Sequence, residues 1–398
     1  MTLRRIAIGF AAFALILGVL AMILRARLKR PPLPPIVVTL PEVPEDNGYD
    51  DFLTAVETYV DTGVDLSTEP GVPITAGQRD ALTQNQPALA ELRGGLRKEC
   101  VAPPAPAPSQ ASTDRMSVFR TLTRLLVVES RLASDDGRCR DAVPPLLDGL
   151  RFGARLEAGA DIIGWHVARA VQSIALRELR RLADSGQLDA ADLTKPLQLL
   201  AQLEANAPPI PQILEAECRT AAANAASQAS SPSARVARLD PASILPALRR
   251  ERDAAIRLSR KPYAEVKATI ESPPRRLTFS PRAVVARMTG ETYRRMVPSD
   301  FRRRSERRGA QLLLAVELYR LQHGRLPESL TDLESLRIPG VELSIIDPLT
   351  EQPYIYRVQD DDYFLYSIGM DLKDDAGAKE SFRANKPGDI LFHTPPKQ

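Results

Sequence analysis

Histidine, cysteine and tryptophan are almost missing from this chain, which holds three, three and one of them in 398 residues. Scarce imidazole leaves few general bases, and scarce thiol leaves few soft metal ligands. Cys100, Cys139 and Cys218 show no CxxC spacing and no nearby His, which argues against a zinc site. GxSxG, HExxH, phosphate-loop and dinucleotide fingerprints are all missing as well. His166, beside Trp165, reads as a packed core histidine, and His323 as a helix-end residue. Glu215 and Glu217 flank Cys218 but point to different faces of a helix. No catalytic residue and no small-molecule substrate are assigned on these grounds. The enzyme reading that survives is a hydrolase whose site is assembled from dispersed residues.

What is present begins with an uncharged run of nineteen residues, Ile6 to Leu24, close to the ~20 that cross a bilayer core as a helix. Arg4 and Arg5 precede it, and Arg25, Arg27, Lys29 and Arg30 follow. The run predicts an uncleaved transmembrane anchor. The excess of cations after the span favours a cytoplasmic bulk, whereas a short N-terminal tail before one apolar segment is the export layout. The extracytoplasmic placement is the one adopted here. Pro31-Pro32-Leu33-Pro34-Pro35, with Pro41 and Pro44, predicts a stiff stalk. In an oxidising compartment Cys100 and Cys139 could close a disulfide, and buried free thiols are the alternative.

Apolar content of 44% supports real cores, and the length supports two or more folding units. Helical spacing dominates up to residue 323. Tyr49 to Val60 forms one helix, Thr75 caps a second that runs towards Leu96, and Thr113 caps a third. Another spans Asp161 to Ala183, with Ile163, Val167, Ala170, Val171, Ile174 and Leu182 as its buried stripe. Asp189 is the next N-cap, Pro196 limits where regular helix can begin, and a helix from about Pro211 leads into a small, polar connection. Such antiparallel helices suit a bundle or a short solenoid.

Charge is unevenly placed. Residues 275–308 hold eleven Arg against Glu291, Asp300 and Glu306. Clustered Arg can meet anionic lipid or nucleic acid, but only Phe279, Tyr293 and Phe301 interleave here, without a motif of nucleic-acid readers. Solvated helix faces are the plainer reading, and nucleic acid is not an expected partner.

The last ninety residues carry the most telling order. A helix over Arg307–Gln322 stops at His323-Gly324, followed by Leu326-Pro327-Glu328-Ser329-Leu330, which predicts a short helix. Asp347-Pro348 comes next, then the β-rich Tyr354–Val358 and Tyr363–Ser367 around Asp360-Asp361-Asp362, predicting an antiparallel hairpin. Asp371, Asp375 and Gly388-Asp389-Ile390 close the series. This order resembles the C-terminal domain of the type II secretion major pseudopilin, a member of the type IV pilin-like proteins. The whole chain also looks like bacterial membrane-anchored proteins that end in this module. The resemblance implies a helix feeding a small sheet, an extracytoplasmic location, and calcium held by Asp371, Asp375 and Asp389. Two departures stand out. Gly9-Phe10-Ala11-Ala12 lacks the Glu of a prepilin peptidase site, and about 280 residues separate the span from the module.

The expected fold class is mainly α, with an N-terminal transmembrane helix, a helical bundle or short solenoid, and a small C-terminal α+β module. The expected organisation is an anchor over 1–30, a stalk over 31–48, a helical domain over 49–270, a basic connecting segment over 271–306 and the pseudopilin-like module over 307–398. The function expected is that of a membrane-anchored scaffold or interaction protein with envelope proteins as partners. The alternatives are the hydrolase above and a subunit associated with a secretion pseudopilus.

Overall fold

The computed structural model describes residues 38–69, 71–104, 110–228, 241–272, 281–378 and 388–395. The expected anchor over 1–30 and the proline cluster over 31–35 lie outside them. Among the described residues no helix is long and apolar enough to cross a membrane. The chain is mostly helical and ends in a small three-stranded antiparallel sheet.

Three short helices open the described fold: α1 (Gly48–Thr58), α2 (Ala76–Gln84) and α3 (Gln86–Leu96). The single helix expected from Thr75 towards Leu96 is broken at Asn85, whose side chain turns back onto the Val60 backbone while Pro87 starts α3. Thr75 does cap α2, in a reciprocal capping box with Gln78. Longer helices follow: α4 (Gln110–Asp135), α5 (Cys139–Glu157), α6 (Ile162–Asp184), α7 (Ala190–Ala205) and α8 (Ile210–Gln228). Thr113 lies inside α4 rather than at its cap, because the helix starts three residues earlier. Pro196 lies within α7, which runs through it behind the Asp189 cap. Helices α9 (Pro241–Leu258) and α10 (Tyr263–Glu271) lead to α11 (Pro281–His323), a helix of 43 residues.

That last helix runs across the position where a connecting segment was expected to give way to the C-terminal module at 306/307. It continues through Pro298, which removes one backbone hydrogen bond without ending the helix. After Gly324 the short helix is a 3-10 turn over Leu330–Ser335, capped by Ser329, so Leu326 to Ser329 precede it. Strands β1 (Ile355–Gln359) and β2 (Asp362–Ser367) form the hairpin, turning at Asp360-Asp361 with Asp360 in the left-handed region at φ 55°. A third strand, β3 (Ile390–His393), pairs antiparallel with β2.

Apolar side chains gather in two main clusters. The first joins α1–α3 to α4–α6, with Phe52, Phe119 and Phe152 meeting edge-on at ring separations of 4.8 and 5.5 Å. Another runs from α4–α7 through α11 into the sheet, so Leu146, Leu179, Leu313, Tyr363 and Phe392 share one interior. Helix α6 joins the two, but its buried stripe is displaced from the expected one. Ile163 is exposed and Val167, Ala170 and Ile174 are half-buried; Val171 and Leu182 are buried as expected, together with Ile162, Trp165, Ala168, Ala175 and Leu179. Starting the helix at Ile162, behind the Asp161 cap, turns that face inward. Gly153 lets α5 approach α6 closely, since a Cβ there would lie 2.8 Å from the Ala168 carbonyl oxygen. Arg131 and Glu178, nearly fully buried, form a two-pronged pair between α4 and α6 at 3.0 and 3.1 Å.

The sheet docks on α11 through a glycine. A Cβ on Gly309 would meet the Phe392 ring at 2.1 Å, so any side chain at 309 must push β3 away. The Arg180 guanidinium of α6 lies 4.9 Å from the centre of the same ring and donates to the Leu391 and Phe392 carbonyl oxygens. We expect Gly309→Ala to destabilise the protein by about 1–3 kcal/mol, the usual cost of overpacking, despite the better helix propensity of Ala. Chemical denaturation checks this. Unchanged or increased stability would mean that Phe392 does not rest there.

Candidate functional site

The acidic loop carries the expected metal ligands. Its base is fixed by Asp347, which is 1% exposed and accepts from Leu349 N at 3.0 Å and from the Ser367 hydroxyl at 2.5 Å. The Ser367 oxygen in turn accepts from Gly369 N, tying the end of β2 to the Asp347-Pro348 turn. Asp389 is also 1% exposed, and both its oxygens are engaged: Oδ2 by Gly377 N at 2.7 Å and Oδ1 by Asp375 N at 3.3 Å. Burial, helped by the charges of Asp374 and Asp375, raises its pKa despite those amide bonds. The structure therefore brings Asp375 and Asp389 together, but through the Asp375 backbone. The Asp371 carboxylate accepts from Lys373 N at 3.2 Å.

Asp374 Oδ1 serves Ala376 N and the Tyr366 hydroxyl, which burial and the Asp374 contact push up to about 12. Among the described residues, no group of three or more His, Cys, Asp or Glu is arranged to hold a metal ion. Of the three expected ligands, Asp389 commits both oxygens and Asp371 its Oδ1 to loop amides.

The second feature is an apolar cleft among the helices. Tyr49 of α1, Met116 and Phe119 of α4, Leu156 of α5, and Val167 of α6 wall it, together with the Ala102-Pro103 segment. A neighbouring open hollow lies among Leu40, Pro41, Val43, Val101 and Ala216. Ala102 and Asp161 line both. The polar groups here already serve the fold. Asp161 caps α6 by accepting from Gly164 N at 2.8 Å, and Asn47 holds Val101 by both its N–H and its carbonyl. Glu217, raised by burial and the nearby Asp161 charge, accepts from Ile162 N.

Among the described arginines of residues 275–308, Arg295 is exposed, as on a solvated face, but Arg303 and Arg307 are not. Arg303 and Arg307 are buried at 8% and 3% exposure. Arg303 pairs with Asp300 at 2.7 Å. Arg307 donates to Leu203 O at 2.8 Å and to Gln172 Oε1 at 2.6 Å, and Gln172 passes the chain on to Glu157. Burial lowers the Arg307 pKa, and the neighbouring Arg303 charge adds to the effect. Arg302 pairs with Glu306, and Arg308 approaches Glu204. Among the described arginines of this stretch, Arg294 pairs with Glu251 of α9, Arg307 and Arg308 with Glu204 of α7, and the others with carboxylates of α11 itself.

The histidines fall in three settings. His166 is exposed on α6, not packed in the core, with its ring edge-on to Trp165; partial burial and Arg169 lower its pKa. His323 closes α11, stacked on Tyr319 at 4.0 Å with Nδ1 near Tyr319 O. His393, unnoticed in the sequence, sits between Asp184 and Asp362. The three cysteines are free: Cys100 and Cys218 are buried, and Cys139 is half-exposed. No disulfide joins Cys100 to Cys139. Burial pushes the Cys100 thiol up to about 12 and that of Cys218 to about 11.

No family model, curated protein or solved structure matches the chain.

Proposed function

We propose that this chain is a membrane-anchored scaffold or interaction protein of the bacterial envelope, its bulk extracytoplasmic, and that it takes an apolar segment of a protein partner in the cleft beside Pro103. The apolar run Ile6–Leu24 supports the anchor. The cleft carries the reading. Its walls are Tyr49, Met116, Phe119, Leu156 and Val167, and its Asp161 carboxylate is committed to capping α6. Such a surface gains affinity by burying apolar side chains, at roughly 25 cal/mol per Å² removed from water before the costs of association. It offers no activated nucleophile with which to turn a substrate over.

A photo-crosslinking amino acid at Met116 of the full chain, in cells, is expected to give a discrete protein adduct. Val43→Asp, a change at an exposed position of the adjoining hollow, which shares Ala102 and Asp161 with the cleft, should abolish it. The same crosslinker at the exposed Arg295 should give none. Identical adducts from both positions, or persistence in Val43→Asp, would remove the cleft from the reading. Adducts composed of secretion pseudopilus components would favour the pseudopilus-associated alternative.

Location has its own test in the thiols. Cys139 is half-exposed and should label in the folded chain, whereas the buried Cys100 and Cys218, whose thiols are pushed up, should resist until the chain unfolds. A membrane-impermeant maleimide applied to spheroplasts should then modify Cys139. Protection until the cells are lysed would place the bulk in the cytoplasm.

Calcium enters this proposal through the pseudopilin-like loop alone. To bind there it would have to draw Asp389 away from the Gly377 and Asp375 amides. Excess calcium is expected to raise the unfolding temperature, the gain being about 2.7 kcal/mol at a hundredfold excess over Kd. Asp371→Ala with Asp389→Ala should erase the rise. No shift in the parent chain would strike calcium from the proposal.

A further inference from the structure

His393 is the last residue of β3, and its imidazole is held from both sides. Nδ1 lies 3.0 Å from Asp184 Oδ1 at the end of α6, and Nε2 lies 2.6 Å from Asp362 Oδ1 at the start of β2. A carboxylate can only accept hydrogen bonds, and a neutral imidazole has one N–H to give. Both contacts are satisfied together only by the imidazolium. The ring is 12% exposed, while the Asp184 and Asp362 side chains are 35% and 32% exposed.

Each element packed around the ring contributes charged or titratable groups. From α6 come Asp184, Arg180, which holds the Leu391 and Phe392 carbonyls, and Arg181, already paired with Glu178 at 2.6 Å. From β2 come Asp362 and Tyr363, whose ring stacks on the imidazole at 4.1 Å. From α11 comes Glu317, which accepts from the Tyr363 hydroxyl at 2.8 Å and pairs with Arg320 at 2.6 Å. Two carboxylates therefore touch the ring, while the nearby cations are engaged elsewhere.

We propose that His393 is a protonation-gated latch: as imidazolium it clamps the last strand to α6 and to the hairpin, and on losing its proton it lets β3 leave. The two clamped groups lie 209 and 31 residues away in sequence, so the latch joins three separate segments. Opening would lift Phe392 from Gly309 and bare the edge of β2 at Leu365, Tyr366 and Ser367.

The direction with pH follows from linkage. Burial alone would lower the imidazole pKa, but the hydrogen bonds and charges of Asp184 and Asp362 outweigh it and hold it above the ordinary 6.5. A folded-state pKa above the undocked value means that the stabilisation is complete below about pH 6.5. It is lost as pH rises through the raised value. The latch is closed below that raised pKa and open above it.

The test uses the full chain in non-ionic detergent and amide hydrogen exchange between pH 6 and 9, with rates corrected for intrinsic exchange. Protection of the amides at 390–393 is expected to fall with pH by up to about tenfold per unit, the slope for one proton. Protection in α5 and α6 should stay level over the same range. His393→Gln should abolish the pH dependence, and Asp184→Asn, which keeps the side-chain shape, should move the midpoint towards lower pH. With only three histidines, the His393 ring can also be titrated by NMR in labelled protein. A titration at or below pH 6.5, level protection in the parent chain, or an unchanged fall in His393→Gln would each overturn the latch.

Discussion

Phe392 can lie against α11 only because residue 309 has no side chain, and much of the C-terminal arrangement depends on that contact. Seated there, the ring touches Tyr354 edge-on at 5.8 Å and lies under the Arg180 guanidinium. It carries β3 with it, and β3 closes the sheet against α6 as well as α11. The result is one interior shared by helices and sheet, not a module hung on a linker. Residues Val38 to Gln398 accordingly group as one compact unit.

The helix that receives Phe392 is also the most highly charged stretch of the chain, and this is the costly part of the design. A buried guanidinium is tolerable only when acceptors meet its donors, because the desolvation penalty is several kcal/mol per ion. Arg307 finds Leu203 O, Gln172 and Glu204; Arg131 finds Glu178 and the Glu69 carbonyl. The Arg307 contacts reward one alignment of α11 against α6 and α7, and the Arg131 pair one alignment of α4 against α6, since sliding by one turn would strand each charge. Replacing such pairs by apolar residues of similar volume is often neutral or stabilising, so register is a better account of them than stability.

How much of this could be read in advance depended on whether the signal was local. The Leu spacing from Ala310 to Leu321 declared a helix, and the aromatic runs around Asp360-Asp361 declared a hairpin, because both patterns repeat over short range. The extension of α11 back to Pro281 was hidden: Pro298 and the run of Arg look like a break until Asp300, Glu204 and Gln172 supply the partners. Strand β3 is four residues long, too brief for alternation to show. For the acidic loop, the residues were visible but not their use, since nothing in Asp371, Asp375 and Asp389 as letters reveals which oxygens cap backbone amides. In the cleft, Tyr49, Met116 and Val167 each look like ordinary helix-face residues, and only packing makes them neighbours. His393 gave no sign at all, because its partners come from distant parts of the chain.

The central claim is that the helical array and the C-terminal sheet form one cooperative body. Scanning calorimetry of the full chain tests it most directly, by comparing the calorimetric enthalpy with the van't Hoff enthalpy. A shared core predicts a single transition in which the two agree. Two resolved transitions, with the smaller removed by deleting residues 388–395, would show that the sheet folds and unfolds on its own account.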